Sequence, residues 1–188
     1  MKKGLLIVYS GPSGVGKSTV RQEFFKDESL KLTYSISMTT RAPREGEQEG
    51  VDYFFVSQEE FKRAVENDEL LEHAEYVNNY YGTPKFYVEK LRNEGKNVIL
   101  EIDIEGGKQV IKQNPDCVSI FLVPPSIEVL KERIMKRGSE SEETLNKRVE
   151  VAKKELEQKE LYKYVVVSDT IERTASEIKE IIRKEMNK

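Results

Sequence analysis

Residues 11–18 of this chain have the types and the spacing that bind a polyphosphate. They read Gly-Pro-Ser-Gly-Val-Gly-Lys-Ser and fit the pattern G-x-x-x-x-G-K-[ST]. In such a loop the glycines let successive backbone N–H groups surround the phosphates, while the lysine reaches the outer phosphates and the last hydroxyl meets Mg²⁺. A glycine-rich turn that binds nothing would carry the same letters, so the flanking segments must decide. The stretch predicts a site for a nucleoside triphosphate.

The segments on both sides of this loop are those that the motif requires. A compact apolar run, residues 5–9, precedes it, and Val20, Phe24 and Phe25 follow at helical spacing. Strand, loop and helix are therefore predicted in that order. The residues assigned to ATP on this basis are Gly11, Pro12, Ser13, Gly14, Val15, Gly16, Lys17, Ser18 and Thr19.

Two acids follow another apolar run and are candidates for binding Mg²⁺. Glu101 and Asp103 lie at the end of the predicted strand 97–103, where the ligands of an open parallel sheet collect. They could equally be solvent-facing acids at a strand end. Asp103 and Gly106 also fit D-x-x-G, which a GTPase uses to sense the γ-phosphate. No N-K-x-D or T-K-x-D element for reading the base occurs in the chain, so a GTPase is disfavoured.

A second anion site is predicted around Arg41 and Arg44. These arginines are three residues apart in a turn stiffened by Pro43, and together they can grip one phosphate. A turn with two solvated arginines is common, so the pair alone is weak. Tyr53 and the polar turn 79–83 strengthen it, because tyrosine hydroxyls can donate to the same phosphate.

Three further arginines could neutralise a phosphoryl group in transfer. Arg133 and Arg137 share a helix face at i, i+4, and Arg148 lies in the next predicted helix. The alternative is a solvated face, since 35% of the residues are charged.

Composition bounds the remaining possibilities. A chain of 188 residues suits one domain with insertions, and a net charge of -3 argues against a general nucleic-acid binder. The single cysteine, Cys117, excludes an internal disulfide and fits a reducing compartment. No stretch is long and apolar enough to span a membrane. We therefore expect a soluble, cytoplasmic protein that contacts neither membrane nor nucleic acid.

The hydrophobic pattern predicts an α/β fold with a parallel core sheet. Residues 5–9, 98–102, 118–123 and 165–167 are continuous apolar runs, which indicates strands covered on both faces. Residues 34–39 and 51–56 are expected to form a small antiparallel insertion, which 70–77 could join. Helices are predicted after the capping box at Ser57, from Thr83-Pro84 to Gly95, from Ser126 to Gly138, over 142–161, and from a cap at Thr174 onward.

Taken together, these residues make the chain resemble the guanylate kinases over nearly its whole length. Besides the phosphate loop, the resemblance rests on SISMTTRAPR at 35–44, DYFF at 52–55, NYYG at 79–82, EID at 101–103 and NKR at 146–148. It implies a P-loop kinase fold with a mixed or antiparallel GMP-binding insertion and a helical lid. It also implies transfer of the ATP γ-phosphoryl group to GMP with Mg²⁺, which Ser18 and Asp103 would hold.

The resemblance divides the single domain into three parts and gives roles to individual residues. The core would be 1–33, 84–125 and 156–188, the GMP-binding region 34–83, and the lid 126–155. Lys17, Arg41, Arg137 and Arg148 would act in catalysis, and Arg133 and Arg137 would bind ATP. Arg133, Arg137 and Arg148 would belong to the lid that closes over ATP. GMP would be held by Ser37, Arg41, Arg44, Tyr53, Glu72, Tyr81, Thr83 and Asp103.

The chemistry of guanine supports Glu72 and Thr83 in particular. Guanine offers N1–H and N2–H donors that a carboxylate accepts as a pair, and its O6 accepts from a hydroxyl. Glu72 is therefore the expected specificity residue, unless it is an ordinary exposed strand acid. Ser168 stands where the family often has asparagine, and His73 is expected to be structural. The alternative function is a guanylate-kinase-like binding module without catalysis; dGMP as an acceptor and the oligomeric state stay open.

Overall fold

The structure is a computed structural model that describes residues 2–136 and 141–188. Two sheets and their covering helices account for this part of the chain. The strands are β1 Leu6–Ser10, β2 Leu32–Tyr34, β3 Ser37–Thr39, β4 Tyr53–Phe55, β5 Leu70–Tyr76, β6 Asn79–Pro84, β7 Asn97–Glu101, β8 Val118–Val123 and β9 Tyr164–Val167. The helices are α1 Lys17–Phe24, α2 Gln58–Glu66, α3 Lys85–Asn93, α4 Ile104–Gln113, α5 Ile127–Lys136, α6 Glu142–Leu156 and α7 Ile171–Met186.

The core sheet is parallel throughout, in the order β2-β7-β1-β8-β9. Its central strand β1 pairs Leu6 with Val98 on one side and Ile7 with Val118 on the other. The predicted parallel core is thus confirmed. Because all carboxyl ends meet at one edge, the segments that follow β1, β7 and β9 converge there.

Both faces of the core sheet are covered, as the continuous apolar runs predict. On β1, Ile7 and Tyr9 face a cluster built with α1, α5, α6 and α7, whereas Leu6 and Val8 face a second cluster with α3 and α4. All four side chains are at most 3% exposed. Burial of such apolar surface is the main stabilising contribution, at roughly 25 cal/mol per Å².

The second sheet has the order β4-β3-β6-β5 and is mixed. The predicted strand 34–39 is not a single strand: only Tyr34 belongs to β2, which joins the core sheet beside β7, whereas residues 37–39 form β3 in the second sheet. The expected antiparallel pairing of 34–39 with 51–56 is wrong, because β3 and β4 are parallel. The segment 40–52 is long enough to return the chain from the end of β3 to the end of the sheet where β3 begins, as a parallel neighbour requires.

Strand β6 covers residues that the sequence pattern predicts only as a polar turn. It pairs antiparallel with β5 through Tyr76 and Asn79, and the two residues between them, Val77 and Asn78, have φ of 48° and 60°. A two-residue turn with both φ positive matches the twist of a hairpin. Asparagine adopts this conformation readily but valine does not, so the turn gives little sequence signal. The expected addition of 70–77 to the insertion is confirmed.

Helix ends agree with the predicted caps in part. Ser57 and Glu60 form the predicted capping box, and Gly95 follows α3 with a φ of 77°. The last helix starts earlier than predicted, because Thr170 caps it and Thr174 lies one turn inside, where its hydroxyl donates to the Thr170 carbonyl. Helix α6 ends at Leu156 and continues only as a 3₁₀ turn, Glu157–Leu161, and the expected end at Gly138 lies outside the described residues.

Within residues 2–136 and 141–188, no helix combines the length and the apolar character that crossing a bilayer demands. Cys117 is buried at the start of β8, and this burial raises the pKa of its thiol to about 11. The thiol is therefore protonated and unreactive at neutral pH.

The C-terminal helix is tied to strand β9 by a buried carboxylate, Glu185, which is 7% exposed. It accepts hydrogen bonds from Lys163 Nζ at 3.1 Å, from Lys188 Nζ at 2.6 Å and from Tyr164 Oη. Burial alone would raise the pKa of this carboxyl, but the three donors outweigh it and lower the pKa to about 2. The carboxylate form is thus favoured by folding.

Replacing Glu185 with Gln should therefore destabilise the protein at pH 7, by about 1 to 3 kcal/mol, because a neutral amide accepts these bonds more weakly. The pKa of Glu185 in the folded protein lies below its usual value. The stabilisation by the Glu185 carboxylate is therefore complete above about pH 4.5 and is lost as the pH falls toward 2. Urea unfolding at several pH values measures it, with the exposed Glu180→Gln as control. An equal difference at pH 3 and pH 7 would contradict this account.

Candidate active site

The phosphate loop follows β1 at the carboxyl edge of the core sheet and ends in α1. Gly14 and Gly16 have φ of 83° and 101°, a conformation that residues with a side chain rarely adopt. Lys17 Nζ donates to the carbonyl oxygens of Gly11, at 2.5 Å, and Pro12, at 3.1 Å. The ammonium group is therefore directed back over the loop whose amides would surround a phosphate.

The loop is braced from the far edge of the sheet by the segment after β9. Ser168 Oγ donates to the Val15 carbonyl at 2.8 Å, and Arg133 donates to the same carbonyl at 3.1 Å. Arg133 also donates to the carbonyls of Ser168 and Asp169. Gly14, Gly16, Thr19, Arg133, Ser168 and Ile171 contribute to a cavity of about 340 Å³ beside the loop. Arg133, expected as a mobile cation, thus also has a structural role.

Helix α6 contributes a cation and an acid to the other side of the loop. Arg148 donates to Ser13 Oγ at 3.1 Å. Glu155 is half-buried, and desolvation raises the pKa of its carboxyl, although the charge of Lys17 and the Ser13 backbone amide oppose this. Glu155 lies in a highly charged helix, and no motif in the sequence marks it as a functional residue. Arg137, predicted to act beside Arg148, lies outside the described residues.

The two acids at the end of β7, Glu101 within the strand and Asp103 just after it, take different roles. Glu101 accepts from Ser18 Oγ at 3.3 Å and forms an ion pair with Arg21, so its carboxylate is already engaged. Asp103 is exposed and caps α4, with its Oδ1 accepting from the Gly106 amide at 2.7 Å. The D-x-x-G match of Asp103 to Gly106 is therefore a helix cap.

Ser18 and Asp103 carry the kind of oxygen donors that Mg²⁺ accepts from a protein when a nucleotide supplies most of its ligands. Mg²⁺ is commonly held by one or two protein oxygens together with phosphates and water. Asp103 has its second carboxylate oxygen outside the helix cap, and Ser18 offers a hydroxyl at the start of α1. Across the described ranges 2–136 and 141–188, no cluster of three or more His, Cys, Asp or Glu forms a metal site by itself.

Glu72 and Thr83 meet across the two strands of the β5–β6 hairpin. Thr83 Oγ1 donates to Glu72 Oε1 at 2.5 Å. Both residues are buried, with Thr83 2% exposed and Glu72 8% exposed. Burial raises the pKa of Glu72, Asp103 adds to the effect, and the Thr83 hydrogen bond opposes it. The alternative that Glu72 is an ordinary exposed strand acid is excluded, because α4 covers β5 and Glu72 is buried. A Cβ at Gly106 would approach Glu72 Oε2 to 3.1 Å.

The remaining candidates lie on the second sheet or in the turn that follows β3. The guanidinium carbon of Arg41 is 5.4 Å from the centroid of the Tyr53 ring, and the Tyr53 and Tyr81 rings meet edge to face at 6.1 Å. Arg44 is exposed in the turn that follows Arg41. Ser37 and Thr83, on neighbouring parts of the sheet, line a cavity of about 230 Å³ with Arg21 and Glu101.

His73 lies away from this arrangement. Its backbone exchanges hydrogen bonds of 3.0 Å with the Gln109 side chain, and its ring meets Phe61 edge to face at 6.5 Å. Its part in joining β5 to α4 agrees with the structural role expected for it.

Comparisons with known proteins show the family to which the chain belongs. The family model described as guanylate kinase matches residues 3–185. The chain is 54% identical over 181 residues to curated guanylate kinases of Bacillus cereus and Bacillus anthracis, covering 96% of this chain and 88% of each relative. A crystal structure of guanylate kinase from Anaplasma phagocytophilum superposes with a TM-score of 0.71 at 36% identity, covering 100% of this chain and 89% of that one. The chain belongs to the guanylate kinase family.

Proposed function

We propose that this protein transfers the γ-phosphoryl group of ATP to GMP, giving ADP and GDP, and that the residues described above form its two nucleotide sites. Membership of the family supports the reaction. The observation that carries the choice of acceptor is the buried pair of Glu72 and Thr83, with an oxygen–oxygen distance of 2.5 Å.

The guanine base would bind to Glu72 and Thr83. The carboxylate can accept both the N1–H and the N2–H of guanine, while Ser37 or Thr83 donates to O6. Adenine has no N1–H and presents an N6 donor where guanine has O6. A buried carboxylate left without its donors is costly, and such mismatches discriminate by about 10⁴-fold. Asp103, within electrostatic range of Glu72, would complete this side of the site.

The phosphate of GMP would bind to Arg41 and Arg44 together with the hydroxyls of Tyr53 and Tyr81. Two guanidinium groups in one turn match the geometry of a phosphate better than lysines would. The edge-to-face contact between the two tyrosine rings, at 6.1 Å, supports a common target for their hydroxyls. The phosphate is largely ionised near neutral pH and is itself the nucleophile, so no general base is needed.

ATP would bind to the loop 11–19, with Lys17 on the outer phosphates. Arg148 beside Ser13 would neutralise charge during transfer, together with Arg137, and Arg133 would line the nucleotide cavity. When bound, Mg²⁺ would supply positive charge that offsets the charge of the phosphates, and Ser18 and Asp103 are its proposed ligands. The contribution of these residues is to position two anions and to offset their repulsion.

The division into core, GMP-binding region 34–83 and lid 126–155 is proposed on the same grounds. The second sheet lies within residues 34–83 except for Pro84, and α5 and α6 lie within residues 126–155 except for Leu156. A complete phosphate loop argues against the alternative of a binding module without catalysis. The free thiol of Cys117 is in keeping with a reducing compartment such as the cytoplasm.

Replacing Lys17 with Ala should lower kcat/KM by about 10²- to 10³-fold, because the outer phosphates lose their nearest cation. A coupled assay of ADP formation measures this, and circular dichroism checks that the fold is kept. Lys26→Ala, at an exposed residue beyond α1, is the matched control and should behave like the parent protein. Near-normal turnover of the Lys17 variant would overturn the assignment of the loop.

Replacing Glu72 with Gln should lower the preference for GMP over AMP by about 100-fold or more, because an amide N–H would face the donors of guanine. The Thr83 hydroxyl can still bond the amide oxygen, so stability should change far less. Rates of ADP formation with GMP, AMP, UMP and CMP as acceptors test this. Glu75→Gln on the exposed part of β5 is the control. An unchanged GMP preference would show that the base is recognised elsewhere.

A further inference from the structure

We propose that Glu47 is a positioning residue of the acceptor-phosphate site, which holds Arg41 and the turn after it in the geometry that grips a phosphate. The inference rests on the proposed function, because it takes Arg41 and Arg44 as the phosphate ligands. Charge and spacing distinguish these arginines in the sequence, whereas the acid that follows them, Glu47, resembles the other acids of the same turn.

Glu47 makes a two-point contact with the guanidinium of Arg41. Its Oε1 accepts from one terminal nitrogen at 2.8 Å and its Oε2 from the other at 3.0 Å. The side chains of Arg41 and Glu47 are only 14% and 20% exposed. A paired, planar contact of this kind fixes the orientation of the guanidinium, unlike a single solvated ion pair.

The same carboxylate also fixes the backbone between the two arginines. Glu47 Oε2 accepts from the Arg44 amide at 2.7 Å, and the Glu47 amide donates to the Arg44 carbonyl at 3.1 Å. The turn 44–47 is thereby closed twice, and Gly46 within it has a φ of 88°. The Glu47 side chain thus fixes both the orientation of the Arg41 guanidinium and the position of the Arg44 backbone amide.

Arg41 is held from further directions as well. One of its terminal nitrogens donates to the Ala42 carbonyl at 2.8 Å, and its guanidinium carbon lies 5.4 Å from the centre of the Tyr53 ring. Its backbone amide donates to Thr39 Oγ1 at 3.2 Å, which joins the turn to β3. Glu47 therefore completes a set of contacts that makes the arginine rigid before a phosphate arrives.

An acid at this place is unfavourable unless it has such a role. Hydrogen bonds from Arg41 and then from the Arg44 amide lower the pKa of Glu47, so the group is a carboxylate at neutral pH. A negative charge beside a phosphate site repels the ligand. If Glu47 only competed with phosphate for Arg41, its removal would tighten GMP binding. If it positions Arg41, its removal will weaken GMP binding.

Replacing Glu47 with Ala should raise KM for GMP and the dissociation constant of GMP by about 10- to 100-fold, and leave KM for ATP within about 2-fold. Glu47→Gln should lie between this variant and the parent, since its amide oxygen can still accept. Glu45→Ala, an exposed acid in the same turn, is the matched control and should change neither constant.

Guanosine as a competitive inhibitor separates positioning from general damage to the insertion, because it carries the base without the phosphate. Its inhibition constant should be unchanged in the Glu47 variants. Equal losses for guanosine and GMP, tighter GMP binding, or no effect on GMP would each overturn the inference. Arg41→Ala is measured alongside. Weak GMP binding in Arg41→Ala together with normal GMP binding in Glu47→Ala would reject only the role of Glu47. Normal GMP binding in Arg41→Ala would reject the proposed phosphate site itself.

Discussion

The carbonyl oxygen of Val15 accepts hydrogen bonds from Ser168 and Arg133, and these bonds hold the phosphate loop against the segment after β9. From inside the loop, Lys17 binds the carbonyls of Gly11 and Pro12. A loop of positive-φ glycines has many conformations when unrestrained, so its shape depends on such fixed partners. The arrangement orients the backbone amides before a phosphate binds, which reduces the cost of binding.

Several carboxylates lie in or near the two proposed nucleotide sites, and the partners of each carboxylate indicate its role. Glu101 is paired with Arg21 and holds the Ser18 hydroxyl, whereas Glu72 is buried against Thr83, and this burial raises the pKa of its carboxyl. An acid paired with a cation stabilises its neighbours, while a buried acid whose pKa is raised gains from a ligand that brings hydrogen-bond donors. Helix α4 connects the end of β7 with the Glu72 site. Asp103 caps the helix, and the absence of a side chain at Gly106 allows the Glu72 carboxylate to approach the helix closely.

The parallel core and its covered faces follow from the sequence, because strands buried on both sides need continuous apolar runs such as 118–123. The second sheet does not follow in the same way. Residues 34–39 carry a strand pattern, yet β2 and β3 pair with different sheets, and β3 runs parallel to β4. The pattern of one strand shows which face is buried but contains nothing about its partner. Strand β6 was not predicted because Val77 stands at a positive φ that valine rarely adopts.

By itself, the sequence determined the chemistry: a glycine-rich loop ending in Lys17 and Ser18 for phosphates, and arginine pairs suited to a second anion. These are local features, since ligand type depends on the functional groups and on their spacing along a few residues. Only the tertiary structure decided which of the many acids matter. Glu47 binds Arg41, Glu101 binds Arg21, and Glu72 is buried against Thr83. Acids with similar neighbours in the sequence cannot be told apart without these contacts, because burial and charge pairing depend on partners that only folding brings together.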